Sequence, residues 1–445
     1  LGILLGFTTI SLPHLGLDIN QQSWFASLDF FCLTIFGPFG GLISGWIGRK
    51  KLMVLCSPIA AFGWFLIAMS SSTSTLFIGR FISCSALALI MSPSTVYVSE
   101  IAHPDFRATL SSIVGLATTS GTSVAWILGY FCAWRTIAAL STIPLLLSSV
   151  TNLFFPASPY WLIEADKVED AVKSLQFFRG SQNDIAEEIS EIQMKHLTKN
   201  ANVKNQCAWM FQRLFSAAFW KPFACIGVIW ALNFLGGHAA FSNYLYDLIQ
   251  ESGSPIHFSV GLLTVGIARI PLVFVVPFIA QRLEPKKSFV IGQTIKTFGT
   301  FVMATYFYLH HIDPELYQIF SWIPLVVFIM EYLTRGLFIY HVFYTLLGEL
   351  YPTEIITLAV GLTDSFRYLV GALATKFYPE MKSAMSLYGL IYLYAGFNVI
   401  NIFWGYFTIS DNRSKSLVEV EESFETKDKN EMEESIKTRL LSMKN

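Results

Sequence analysis

The feature that most constrains this chain is a succession of apolar stretches, each about twenty residues long. A bilayer core of about 30 Å takes about 20 mostly apolar residues per helical crossing. Twelve such segments can be marked. In the first half they lie at about 1–17, 23–45, 52–70, 76–99, 110–131 and 136–155. In the second half they lie at about 222–249, 257–281, 288–309, 317–348, 355–377 and 384–408. A segment in hydrocarbon must satisfy its own backbone, so each is expected to be helical. Only 14% of the 445 residues are charged, against about 25% in a typical soluble chain. The lipid bilayer is therefore the first partner implied. A net charge of −1 leaves no basic face for phosphates and argues against nucleic acid.

Cysteines such as Cys32, Cys56, Cys84 and Cys225 lie in apolar runs without C-x-x-C spacing and read as small hydrophobes. The histidines are scattered, with neither an H-E-x-x-H nor a nucleophile–base pairing. No metal, cofactor or enzymatic chemistry is expected. Leu1 already lies inside an apolar run, so the natural N-terminus is expected upstream.

The segments fall into two sets of six, which predicts four regions: a first lobe at 1–156, a polar linker at 157–221, a second lobe at 222–409 and a charged tail at 410–445. The short loops with "GRKK" (Gly48–Lys51), Arg107, Arg282, Lys286 and Lys287 fall on one side. The positive-inside rule makes that side cytoplasmic, together with both termini, the linker and the tail. The sequon Asn412-Arg413-Ser414 is then cytoplasmic and unused. Paired sets of helices suggest a pseudo-symmetric carrier of a small solute with its site at midplane. Topology alone leaves a channel or a receptor open.

Motifs narrow the choice. "GGLISGWIGRKK" follows the second segment, "GRFISCSALALIMSPSTVYVSEIAHPDFRATL" spans the fourth, "AWRT" follows the fifth and "FPASPYWLIEADKVEDAVKSLQFFRG" the sixth. "QQSW", "GELYPTE" and "SKSLVEVE" complete an ordered set. In this order the set resembles the sugar-porter branch of the major facilitator superfamily, and insect trehalose and glucose facilitators look most similar. The resemblance implies an all-α membrane protein of the major facilitator fold, with twelve transmembrane helices in two pseudo-symmetric six-helix lobes. It also implies facilitated transport of a sugar across the plasma membrane. Arg49, Glu100 and Arg107 stand at cytoplasmic helix ends, where ion pairs bias a rocking equilibrium, and Glu349 would be their second-half counterpart. Solvated charges that only set topology are the alternative. The lock is thinned, because Gly45 replaces a family acid, "QRLEPKK" lacks Gly-Arg, and Ile356-Thr357 replaces Arg-Gly.

The substrate positions depart further from the family. Amides suit sugar hydroxyls because each offers two donors and an acceptor. The family's seventh-helix amides, Gly and Asn correspond to Asn233, Phe234, Gly237 and Ala239 in "ALNFLGGHAAFSNYLYDLI". The resemblance puts Thr119, Tyr244 and Tyr344 beside the substrate, and His238 faces either the cavity or a neighbouring helix. The paired Gly236 and Gly237 predict a soft point or a close helix contact. Arg269 and Arg367 replace family asparagines. Arg335 can pair with Glu331 at i,i+4, and Arg367 with Asp364 at i,i+3, whereas Arg269 has no local partner. Either the cations only neutralise carboxylates, or one remains for an acidic substrate. Lys296 is expected to snorkel or to pair. Gly6–Ile10 contains no titratable group, which predicts uncoupled diffusion, and Asp29 is expected to have a topological role. A carrier for an acidic or less hydroxylated solute and a non-transporting nutrient sensor are the alternatives.

Overall fold

The computed structural model describes residues 1–103, 107–180, 185–186, 188–190, 192–194, 215–253, 257–271, 275–276, 282–351 and 356–409. The tail, its sequon and most of 181–214 lie outside the described residues. The first half forms α1 (Gly2–Ser11), α2 (Ile19–Ile47), α3 (Arg49–Ala68), α4 (Thr73–Ile101), α5 (Arg107–Phe131) and α6 (Trp134–Phe154). The short helices α7 (Pro159–Glu164) and α8 (Val168–Arg179) follow. The second half forms α9 (Ala217–Asn233), α10 (Ala239–Asn243), α11 (Leu245–Glu251), α12 (Phe258–Arg269) and α13 (Pro285–Ile312). It continues with α14 (Ile323–Thr334), α15 (Tyr340–Leu350), α16 (Ile356–Lys376) and α17 (Tyr378–Thr408). Every apolar segment marked on the sequence carries helix.

Local chemistry sets several ends. Asp18 caps α2 by accepting from the Gln21 amide (2.7 Å), and Gln21 returns the bond to the Asp18 amide (3.4 Å). Ser72 caps α4 through the Thr75 amide (3.2 Å). Pro38, Pro58, Pro93 and Pro144 lie inside helices, a placement that membrane helices tolerate more readily than soluble ones. Stretches Ile19–Ile47, Arg49–Ala68, Thr73–Ile101, Trp134–Phe154, Phe219–Asn243 and Tyr378–Thr408 are each long and apolar enough to cross a bilayer.

The first helices pack α3 on α4 and α6, α2 on α4, and α1 on α5. Gly63 and Gly79 let α3 and α4 approach backbone to backbone, since a Cβ on either would stand 2.8 Å from the other's carbonyl oxygen. The later helices pack α13 on α14 and α17, and α9 on α16 and α17. The two groups meet through α2 and α16, α5 and α12, and α1 and α10. Trp46, Phe154, Phe298, Phe403 and Phe407 point outward, whereas Arg80, Lys296, Glu331 and Arg335 are buried. Apolar outside and charged inside is the pattern of a protein solvated by lipid.

The linker helices dock on one end of the first group. Trp161 Nε1 donates to the Gly45 carbonyl (3.0 Å), and the Tyr97 hydroxyl donates to that of Pro156 (2.7 Å). Arg179 donates to the terminal carbonyls of α4, Ile101 (2.9 Å) and Ala102 (3.2 Å), and holds Glu188.

Candidate functional site

The seventh apolar segment is broken twice. After α9 the chain makes a π-helical turn, Phe234–His238, runs through α10 and breaks again at Tyr244. Gly237 has φ +95°, a conformation that other L-residues rarely adopt. A Cβ there would stand 2.8 Å from Tyr394 and 3.0 Å from Phe241. A Cβ on Gly236 would fall on Asn398 Oδ1. That approach is used: Asn398 donates to the Gly236 carbonyl (3.0 Å) and accepts from Gln293 Nε2 (3.0 Å). The glycine pair therefore serves both a special backbone conformation and a close contact. A second π-helical turn, Arg335–Ile339, interrupts the tenth segment, and the two turns meet where Arg335 Nη1 donates to His238 Nδ1.

A buried polar network grows from this junction. Arg335 Nη2 donates to Glu331 Oε1 on the same helical face. Lys296, from α13, lies 4.0 Å from that oxygen and donates to Asn233 Oδ1 at 2.8 Å. Asn233 Nδ2 is buried with no hydrogen-bond partner among the described residues. The Tyr332 hydroxyl donates to Ser242 Oγ (3.1 Å), and Thr9 of α1 donates to the Ser242 carbonyl. Arg269 Cζ lies 5.1 Å from the ring centres of both Trp126 and Tyr332, which meet edge-on at 4.9 Å. Its Nε and Nη1 have no hydrogen-bond partner among the described residues. A cation at a helix centre in the bilayer costs about 2.5–3.5 kcal/mol on insertion scales, so such groups are retained where they are used.

The expected site residues distribute as follows. Asn233, His238 and Arg269 come together in or beside the network, and Gly237 forms its break. Phe234 packs edge-on against Phe30 of α2 (5.6 Å), so it contacts the first group of helices. Tyr244 stacks on Tyr378 (4.2 Å) and donates to the Thr375 carbonyl (3.2 Å). Thr119 lies half-buried on α5, and its carbonyl accepts from Ser123 (3.2 Å). Arg367 pairs with Asp364 at 2.8 Å and lies over the rings of Trp230, Phe343 and Tyr368. Of the lock, Arg49 bridges Glu100 (2.8 Å) and Glu164 of α7 (3.3 Å). Arg107 opens α5, and Tyr344 and Glu349 lie on α15. The side chains of these three lie outside the described set.

Of the two fates expected for Lys296, the structure shows pairing rather than snorkelling, because its side chain is sealed inside the fold. Its signal was the stripe Gln293, Lys296, Thr297 and Thr300, polar at helical spacing on an apolar helix. Asp29, expected to have a topological role, is fully buried. It lies 3.4 Å from Arg80 Nη2, and the same nitrogen donates to Thr8 of α1. The Arg80 guanidinium lies over Phe25 at 4.8 Å.

A family model described as "Sugar (and other) transporter" matches residues 15–424. The chain belongs to this sugar transporter family. It is similar to the facilitated trehalose transporter of Apis mellifera ligustica, 26% identical over 411 residues, covering 91% of this chain and 80% of that one. It is also similar to the sugar transporter ERD6-like 7 of Arabidopsis thaliana, 24% identical over 409 residues, covering 92% and 86% of the two chains. Among solved structures, the inward-open xylose transporter XylE from E. coli superposes with a TM-score of 0.74 at 18% identity. That match covers 94% of this chain and 96% of XylE, and it establishes the fold. The transporter is thus a multi-pass membrane protein of the major facilitator sugar-porter fold, without strands among its described residues.

Proposed function

We propose that this family member is a facilitative carrier that moves a sugar, trehalose or hexose-like, across the plasma membrane by alternating access. Two six-helix lobes, 1–156 and 222–409, rock about a midplane site. The linker 157–221, the tail 410–445 and both termini are cytoplasmic. The observation that carries the reading is the junction of two helix breaks with a buried polar network, in a chain that the family model spans from 15 to 424. Backbone breaks and polar side chains at membrane depth are tolerated where protein buries them or where they line a cavity, and carriers of this kind place their solute site at such breaks.

In this reading the free amide hydrogens of Asn233 take a solute hydroxyl, with Thr119, His238, Arg269 and Arg367 around it. Phe234, Tyr244 and Tyr344 supply apolar faces, and Gly237 is the bend. Arg49, Glu100, Arg107 and Glu349 bias the closed cytoplasmic side. The α2–α16 contact, where Lys376 donates to Asn20 (2.9 Å) and Ser23 (2.8 Å), belongs to the outer end in this topology. Transport is uncoupled, because Gly6–Ile10 contains no titratable group and Asp29 is engaged by Arg80.

The test is uptake of radiolabelled trehalose and glucose into vesicles reconstituted with the full chain. Saturable uptake that levels at the external concentration and ignores a protonophore is expected. Accumulation above that level, abolished by the protonophore, would contradict the uncoupled mechanism.

A further inference from the structure

The network of the later helices carries more positive than negative charge. Lys296 and Arg335 share one carboxylate, Glu331, and Arg269 shares the Tyr332 ring with Arg335. Arg367 does not add to the excess, because Asp364 balances it. Lys296 has Asn233 and Glu331 beside it, and Arg335 has Glu331 and His238. Arg269 has aromatic rings alone among the described groups, although it is only 6% exposed. Its guanidinium and that of Arg335 each lie 5.1 Å from the same Tyr332 ring centre. Two like charges sharing one ring in a low-dielectric site repel, and each has lost its hydration. The ring face offsets part of that cost. Arg269 Nε and Nη1 and Arg335 Nε still lack acceptors among the described residues.

A bound anion supplies what this arrangement lacks. We infer that the transported solute is a hydroxylated ring bearing one carboxylate, with the carboxylate held by Arg269 beside Tyr332 and Arg335. The inference rests on the sugar-carrier reading and narrows its substrate class. Of Lys296, Arg335 and Arg269, only Arg269 has no polar partner among the described residues, and a carboxylate accepts charge-assisted bonds from one guanidinium. The hydroxyls have their own partner in the unpaired donors of Asn233. A neutral sugar offers Arg269 hydroxyl acceptors but no opposite charge, so the buried cation stays uncompensated in the loaded carrier.

The test compares radiolabelled D-glucuronate with D-glucose, two rings that differ by the acid, in vesicles carrying the full chain. Wild type should favour glucuronate. Arg269→Gln should lower the ratio of glucuronate to glucose uptake by about tenfold or more, the scale of one charge-assisted hydrogen bond. Arg269→Lys, which keeps the charge but loses the planar fork stacked on Trp126 and Tyr332, should still favour glucuronate over glucose, with a ratio above that of the Gln variant. If the Gln variant fails to fold, the wild-type preference and the Lys variant decide. Wild type that carries glucose and excludes glucuronate overturns the inference and leaves the neutral-sugar reading standing. An unchanged ratio in Arg269→Gln, stronger uptake of glucose 6-phosphate than of glucuronate, or uptake that requires chloride rather than the acid also overturns it. If labelled trehalose moves and neither ring does, the inference alone falls; if none of the three moves, the carrier reading falls with it.

Discussion

Glu331 accepts from Arg335 and lies 4.0 Å from Lys296, so one carboxylate answers two buried cations. Glu331→Gln removes that charge and leaves both cations in place. Breaking a buried pair in this way costs about 3–5 kcal/mol. The expected outcome is a marked fall in the melting temperature of detergent-purified protein, and an unchanged melting curve would contradict the pairing. How far such contacts are legible depends on sequence distance. The Glu331–Arg335 and Asp364–Arg367 pairs are legible because helix geometry fixes neighbours three and four residues apart. Lys296–Asn233 and Asp29–Arg80 join residues far apart in the chain. Which faces of different helices meet is decided by packing, so Asp29 read as topological and the sequence named no partner for Lys296.

At the scale of the element, the seventh segment shows how a local irregularity becomes a site. The Gly236-Gly237 pair announced a weak point, and the structure gives it a left-handed residue, a π-helical turn and the Asn398 contact. Nothing as plain marked the tenth segment, where Gly336 alone hints at the turn Arg335–Ile339. Gly237→Ala places a Cβ at positive φ and 2.8 Å from Tyr394. Strain of this kind costs about 1–3 kcal/mol. Lower melting temperature and slower solute uptake are expected together. A variant with wild-type values for both would show that the turn is adaptable, and the proposed role of the bend would fall.

At the scale of the whole molecule, apolar length and periodicity announced a helical membrane protein, and the ordered motifs announced the family to which it belongs. The altered site was legible only as a set of losses, of amides and of loop charges. What replaced them became visible through packing: Arg49 shared between Glu100 and Glu164, and an arginine-rich network around Tyr332. Both fit a carrier whose two halves alternate about one solute. Counterflow tests that account most directly. Vesicles holding the full chain are preloaded with unlabelled trehalose, glucose or glucuronate and then diluted into a trace of the same labelled solute. For the transported solute, alternating access predicts a transient rise of label inside above its equilibrium level. A monotonic approach to equilibrium, or no entry of any of the three, would contradict it.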